Sequence, residues 1–110
     1  MKIGCKCGST IFDSADDIPQ KGHLIPDQEW FNVFDAVDDE VIAPLSASKI
    51  SVEDAYMKSR HIMYEESRLM CQCSSCGRLY IDDLDGELQC YVPESDETAK
   101  QILRGHKSST

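Results

Sequence analysis

The chain has 110 residues, 41% of them hydrophobic, with six cysteines and 20 acidic residues against 11 basic ones, for a formal net charge of −9. That length predicts one domain with a modest core that gains from a metal or another cross-link, and the apolar content argues against general disorder. A surface this negative repels phosphate backbones, so nucleic acid is not an expected partner.

No apolar run approaches the roughly 18 residues of a membrane span. The start, "MKIGCKCGST", has no apolar signal-peptide region, so the expected location is the cytoplasm and no membrane partner is expected. Thiols stay reduced there, and six cysteines in a short chain then read as metal ligands before disulfides.

Residues 1–13 predict a short hairpin. Ile3 leads into Cys5-Lys6-Cys7-Gly8, and Thr10, Ile11 and Phe12 lead out. Gly8 supplies the backbone freedom of a tight turn. Residues 14–26 hold two prolines and read as a loop with a short extended piece. Over residues 27–42, Trp30, Val33, Phe34, Val37 and Val41 recur at helical spacing. Asp27 is the expected N-cap, and Pro44 is expected to end the helix at Ala43. The acidic residues Glu29, Asp35, Asp38 and Asp39 read as a solvated face.

A second helix is predicted from Ser51, where "SVED" fits a capping box, to an end between Met63 and Ser67. From residue 68 the period changes. "RLMCQC" enters a cysteine turn, "RLYIDD" leaves it, and Asp85-Gly86 predicts a hairpin turn before "LQCYV". A two- or four-residue turn puts Leu79 and Ile81 on one face with Leu88, Cys90 and Val92. Tyr80 and Tyr91 then share the opposite face. Residues 95–104 read as a short helix capped by Ser95, with Gly105 following and a frayed tail after it.

Two cysteine turns carry the chemistry. In Cys73-Ser74-Ser75-Cys76-Gly77, two thiolates flank a turn whose amides point at sulfur. Cys5-Lys6-Cys7-Gly8 is similar but has one spacer residue instead of two. Together they predict a four-cysteine metal site made of Cys5, Cys7, Cys73 and Cys76. Cys71 lies about 7 Å from Cys73 along a strand. It is read, with Cys90, as a small buried apolar residue; the alternatives are substitution for one of the ligands or a reactive thiol beside the site.

At these residues the chain resembles the zinc-ribbon family. "CxCG" and "CxxCGxLY" look like its two knuckles, over residues 1–13 and 68–92. The resemblance implies a metal-bearing antiparallel sheet with a helical insert at 14–67, and it implies no activity. The expected fold is α+β: a small zinc-ribbon-like sheet, an inserted helical pair, and a short C-terminal helix and tail at 93–110.

Other candidates for chemistry are weaker. His61 with Glu65 and His23 with Asp27 are each four apart and could join in a hydrolytic metal site, but no HExxH-like signature is present and they read as a surface ion pair or an N-cap. "KGHLIPDQEW" reads as a strand-to-helix staple with Ile25 packed on the helix, or as a binding loop around Trp30. No nucleophile–base motif appears, so the chain is not expected to be an enzyme. The expected function is a small acidic interaction module with a structural zinc and a protein partner, for which a basic protein is the candidate. A rubredoxin-like iron protein for electron transfer and a nucleic-acid-binding ribbon are the alternatives.

Overall fold

A computed structural model describes residues 2–12 and 15–106. The chain divides into two compact units, one of residues up to Leu24 with those from Arg68 onward, the other Ile25–Ser67.

The first unit holds two antiparallel sheets. Strands β1 (Lys2–Gly4) and β2 (Thr10–Phe12) form a hairpin in which Ile3 faces Ile11. Both isoleucines are buried while their neighbours along each strand are exposed, the alternation a half-buried strand requires. The second sheet is a meander of β3 (Lys21–Leu24), β4 (Arg68–Gln72), β5 (Leu79–Asp82) and β6 (Leu88–Tyr91), in that order. The core of this unit joins Ile3, Ile11, Cys5, Cys71, Cys73 and Tyr80, with Leu69, Cys76 and Cys90 packed against it.

The β5–β6 turn corrects the expected register. Asp83 N–H donates to Glu87 O at 2.7 Å and Gly86 N–H to Asp83 O at 3.0 Å. The loop is therefore Leu84-Asp85-Gly86, three residues, with Gly86 at φ 83°. An odd loop slips the pairing by one residue relative to the even ones, and one residue flips every side chain to the other face. Leu79 pairs with Tyr91, and Tyr80 pairs with Cys90. Tyr80 is consequently buried beside Cys71 and Cys90, not on a face with Tyr91.

The predicted helix at 95–104 is absent. That stretch makes two turns, closed by Thr98 N–H to Ser95 O and Arg104 N–H to Gln101 O. The side chain of Gln72 competes for the backbone: its Nε2 donates to Ala99 O at 3.0 Å and its Oε1 accepts from Ile102 N–H at 3.0 Å. Gln72 is a buried polar residue, and these bonds, with a third to Gly77 O, satisfy its amide. The tail from 107 onward lies outside the described residues.

The second unit packs α1 (Asp27–Val37), a π turn (Asp38–Ile42), α2 (Ala43–Ser46) and α3 (Val52–Glu66) around Val33, Val41, Ala55 and Ile62. Ile25 packs on this core, as the staple reading expects. Two expectations about the helix ends fail here. Pro26 occupies the N-cap position and Asp27 is already helical. The helix passes Ala43 in αR conformation and ends at Ser46.

The π turn explains that continuation. It widens the helix just where Pro44 lacks an N–H and its ring would crowd the preceding turn. Trp30 and Phe34 are exposed, although their spacing groups them with Val33 and Val41. The extra residue of the π turn gives Val41 the angular position of residue 40 in an unbroken α-helix, about 20° from Val33. Val33, Val37 and Val41 thus share the inner face and the two rings lie outside it. Ser51 caps α3 as predicted, accepting from Asp54 N–H at 3.0 Å.

Candidate metal centre

Each cysteine turn sits between two strands, the first between β1 and β2 and the second between β4 and β5. In the first, Cys5 N–H donates to Ser9 O and Gly8 N–H to Cys5 O. In the second, Cys73 N–H donates to Arg78 O and Gly77 N–H to Cys73 O. The two turns therefore close alike, the first one residue shorter. Gly8 at φ 98° and Gly77 at φ 83° occupy the left-handed region that ends each turn. The single spacer in Cys5-Lys6-Cys7 does not spoil the turn.

The turns bring the sulfurs of Cys5, Cys7, Cys73 and Cys76 within 4.8 Å of one another. Cys5 Sγ lies 3.5 Å from Cys76 Sγ, and Cys7 Sγ lies 3.6 Å from Cys73 Sγ. Four sulfurs at about 2.3 Å around one tetrahedral ion lie about 3.8 Å apart. The set fits a structural metal site in number, donor type and spacing. Ser9 Oγ donates to Ser75 Oγ at 2.9 Å and ties one turn to the other.

The surroundings favour thiolate at Cys5 and Cys7 and oppose it at Cys73. Burial pushes the Cys5 thiol up, but hydrogen bonds from Cys7 N–H, the Tyr80 hydroxyl and Cys76 outweigh it and bring Cys5 down to about 6. Bonds from Ser9 lower Cys7. Burial dominates at Cys73 and pushes it up to about 11. A divalent ion supplies the charge that would hold Cys73 ionised.

Sequence reasoning passed over two supporting residues. Tyr80 donates its hydroxyl to Cys5 Sγ at 3.4 Å and accepts from Lys6 N–H at 3.2 Å. Its own ionisation is pushed up, first by that bond to Cys5 and then by burial. Arg78 donates to Cys76 Sγ at 3.4 Å, which raises its already high proton affinity. A positive side chain against four thiolates offsets part of the site's charge. Arg78 was open to detection, since it follows Cys76 by two residues. Tyr80 was hidden by the uncertain turn length.

Cys71 and Cys90 flank Tyr80 in the sheet and stand outside the sulfur cluster. His61 Nε2 lies 2.8 Å from Glu65 Oε1 on exposed α3 surface, as a surface pair should. His23 is on a strand and Asp27 on a helix, so their spacing of four does not put them on one helical face. Among the described residues, no helix is long and apolar enough to cross a membrane.

The model of a family described as a domain of unknown function, DUF8617, matches residues 1–95. The chain belongs to that family. The match spans both cysteine turns and everything between them, so the knuckles and the helical unit form part of one family domain. No curated protein and no solved structure matches the chain.

Proposed function

We propose that the chain is a small, non-enzymatic protein-interaction module of the cytoplasm that holds one structural zinc through Cys5, Cys7, Cys73 and Cys76. The observation that carries this reading is the set of four sulfurs within 4.8 Å, contributed in pairs by two turns. Four thiolates fill a tetrahedral shell, whereas a catalytic zinc keeps one position for water or substrate. Zinc is favoured over iron because the one-residue spacer departs from the paired spacing of rubredoxins, although thiolates accept both metals. The partner is a protein with a basic surface. A formal charge of −9 speeds such an encounter and opposes nucleic acid.

Elemental analysis of purified protein tests the metal: one zinc per chain is expected, and iron with its visible absorption would replace this reading by electron transfer. Pull-down with the metal-loaded protein, with and without nuclease, tests the partner. Capture of basic proteins that survives nuclease is expected; recovery of nucleic acid instead would refute the reading.

A further inference from the structure

The sequence run "KGHLIPDQEW" ends on Trp30, and the structure places that side chain on the outside of α1. Trp30, Phe31 and Phe34 are 44%, 70% and 46% exposed. Their rings touch edge to face, with centroids 5.0 Å apart for Trp30–Phe34 and 6.3 Å for Phe31–Phe34. The core of this unit is complete without them, being built on Val33, Val41, Ala55 and Ile62. Three joined aromatic rings left in water are a costly surface unless something covers them.

The charge around the rings says what covers them. Successive residues of an α-helix turn by about 100°, so Trp30, Phe34 and Phe31 occupy an arc of about 100°. Asp27 and Asp38 fall within the same arc, one at each end of the helix, and Asp35 lies about 40° beyond Phe31. No lysine or arginine occurs anywhere in residues 27–42, where Glu29, Asp39 and Glu40 add to the negative charge. The exposed stripe of α3 differs: Arg60 stands 6.0 Å over the Tyr56 ring, so it carries mixed charge. A second copy of a chain at −9 is repelled from α1, and so is an anionic lipid surface.

We propose that the outer face of α1 receives an amphipathic helix of a protein partner, its apolar side chains on Trp30, Phe31 and Phe34 and its lysines or arginines beside Asp27, Asp35 and Asp38. An amphipathic helix docked in this way presents anchors at i, i+3, i+4 and i+7, a stripe that can lie along the three joined rings. Guanidinium and ammonium groups gain further from the ring faces. The inference rests on the reading of the chain as an acidic interaction module and names the surface that does the binding.

Trp30 is the sole tryptophan and reports on its own burial. The test titrates the full metal-loaded chain with a synthetic leucine–lysine amphipathic peptide of about four helical turns. Two control peptides replace lysine by glutamate, or leucine by serine. The expected result is a saturable blue shift of Trp30 emission with the leucine–lysine peptide alone, weakening as salt rises. Phe31→Ser with Phe34→Ser should weaken binding at least about tenfold, and Asp35→Lys should flatten its salt dependence. Both phenylalanines are exposed and outside the core, and an unchanged melting temperature checks the fold of the variants.

Equal binding by the double variant would overturn this surface while leaving the interaction module standing. Absence of a saturable blue shift with the leucine–lysine peptide would overturn the inference, and so would a dimer in sedimentation that Phe31→Ser dissociates. Failure of the wider reading shows separately, as pull-downs that return no basic protein.

Discussion

Tyr80 and Gly77 show how single residues hold the metal centre. Tyr80→Phe keeps the ring in the core and removes only the hydroxyl bonded to Cys5. Outer-shell partners of metal ligands typically contribute 10–100-fold in affinity, so the variant should bind zinc about tenfold more weakly in chelator competition. An unchanged affinity would reduce Tyr80 to a packing residue. Gly77 has φ +83°, and a Cβ there would meet Pro93 Cγ at 3.2 Å. Gly86 has the same φ and open space around it. Gly77→Ala should therefore lower the melting temperature more than Gly86→Ala, since both carry the left-handed penalty of about 1–2 kcal/mol and only one adds a steric conflict. Among the cysteines, Cys76→Ser should lose the metal and Cys90→Ser keep it; equal metal content in both would refute the ligand assignment.

At the level of elements, the ends of the helices are most exposed to test. Ser51→Ala removes the cap of α3 and should cost about 1 kcal/mol in denaturant melts. Glu66, at the end of α3, has its carboxyl held above the ordinary range by burial, then by the Glu29 carboxylate of α1. A raised folded value means that ionisation costs the folded state stability. The cost is absent below the ordinary carboxylate value, grows as pH rises from that value to the folded one and is full above it. Glu66→Gln should raise the melting temperature at neutral pH and lose that advantage in acid; a gain equal at both pH values would refute the assignment. Gln72 makes the corresponding test in the first unit. Gln72→Ala leaves the Ala99 carbonyl and the Ile102 amide without their partner, so exchange at Ile102 should quicken while metal content stays constant.

For the whole molecule, a metal held by the four cysteines would close a loop of 66 residues between Cys7 and Cys73. Opening so long a loop gives chain entropy back to the unfolded state, and ion binding adds folding free energy of its own, on the order of 10 kcal/mol in favourable cases. A strong chelator should lower the melting temperature and release residues 2–12 first, as seen by hydrogen exchange. The helical unit, whose core contains no cysteine, should keep its protection longer. Equal melting of stripped and loaded protein would show that no structural metal is present.

The sequence by itself determined the parts set by local chemistry. Gly8 and Gly77 mark turns that need positive φ, Ser51 marks a helix start through its own side chain, and paired cysteines before glycine mark the sulfurs that meet. Each of these signals acts within a few residues, which is why it can be read along the chain. What the tertiary structure alone decided depends on counting residues across a turn or on distant partners. Three loop residues at 84–86 in place of two or four placed Tyr80 on the sulfur side of the sheet, because strand faces alternate with period two. One extra residue in the π turn put Val41 under the helix and left Trp30 and Phe34 outside. A buried glutamine 27 residues upstream of Ala99 drew off the backbone bonds that a last helix required.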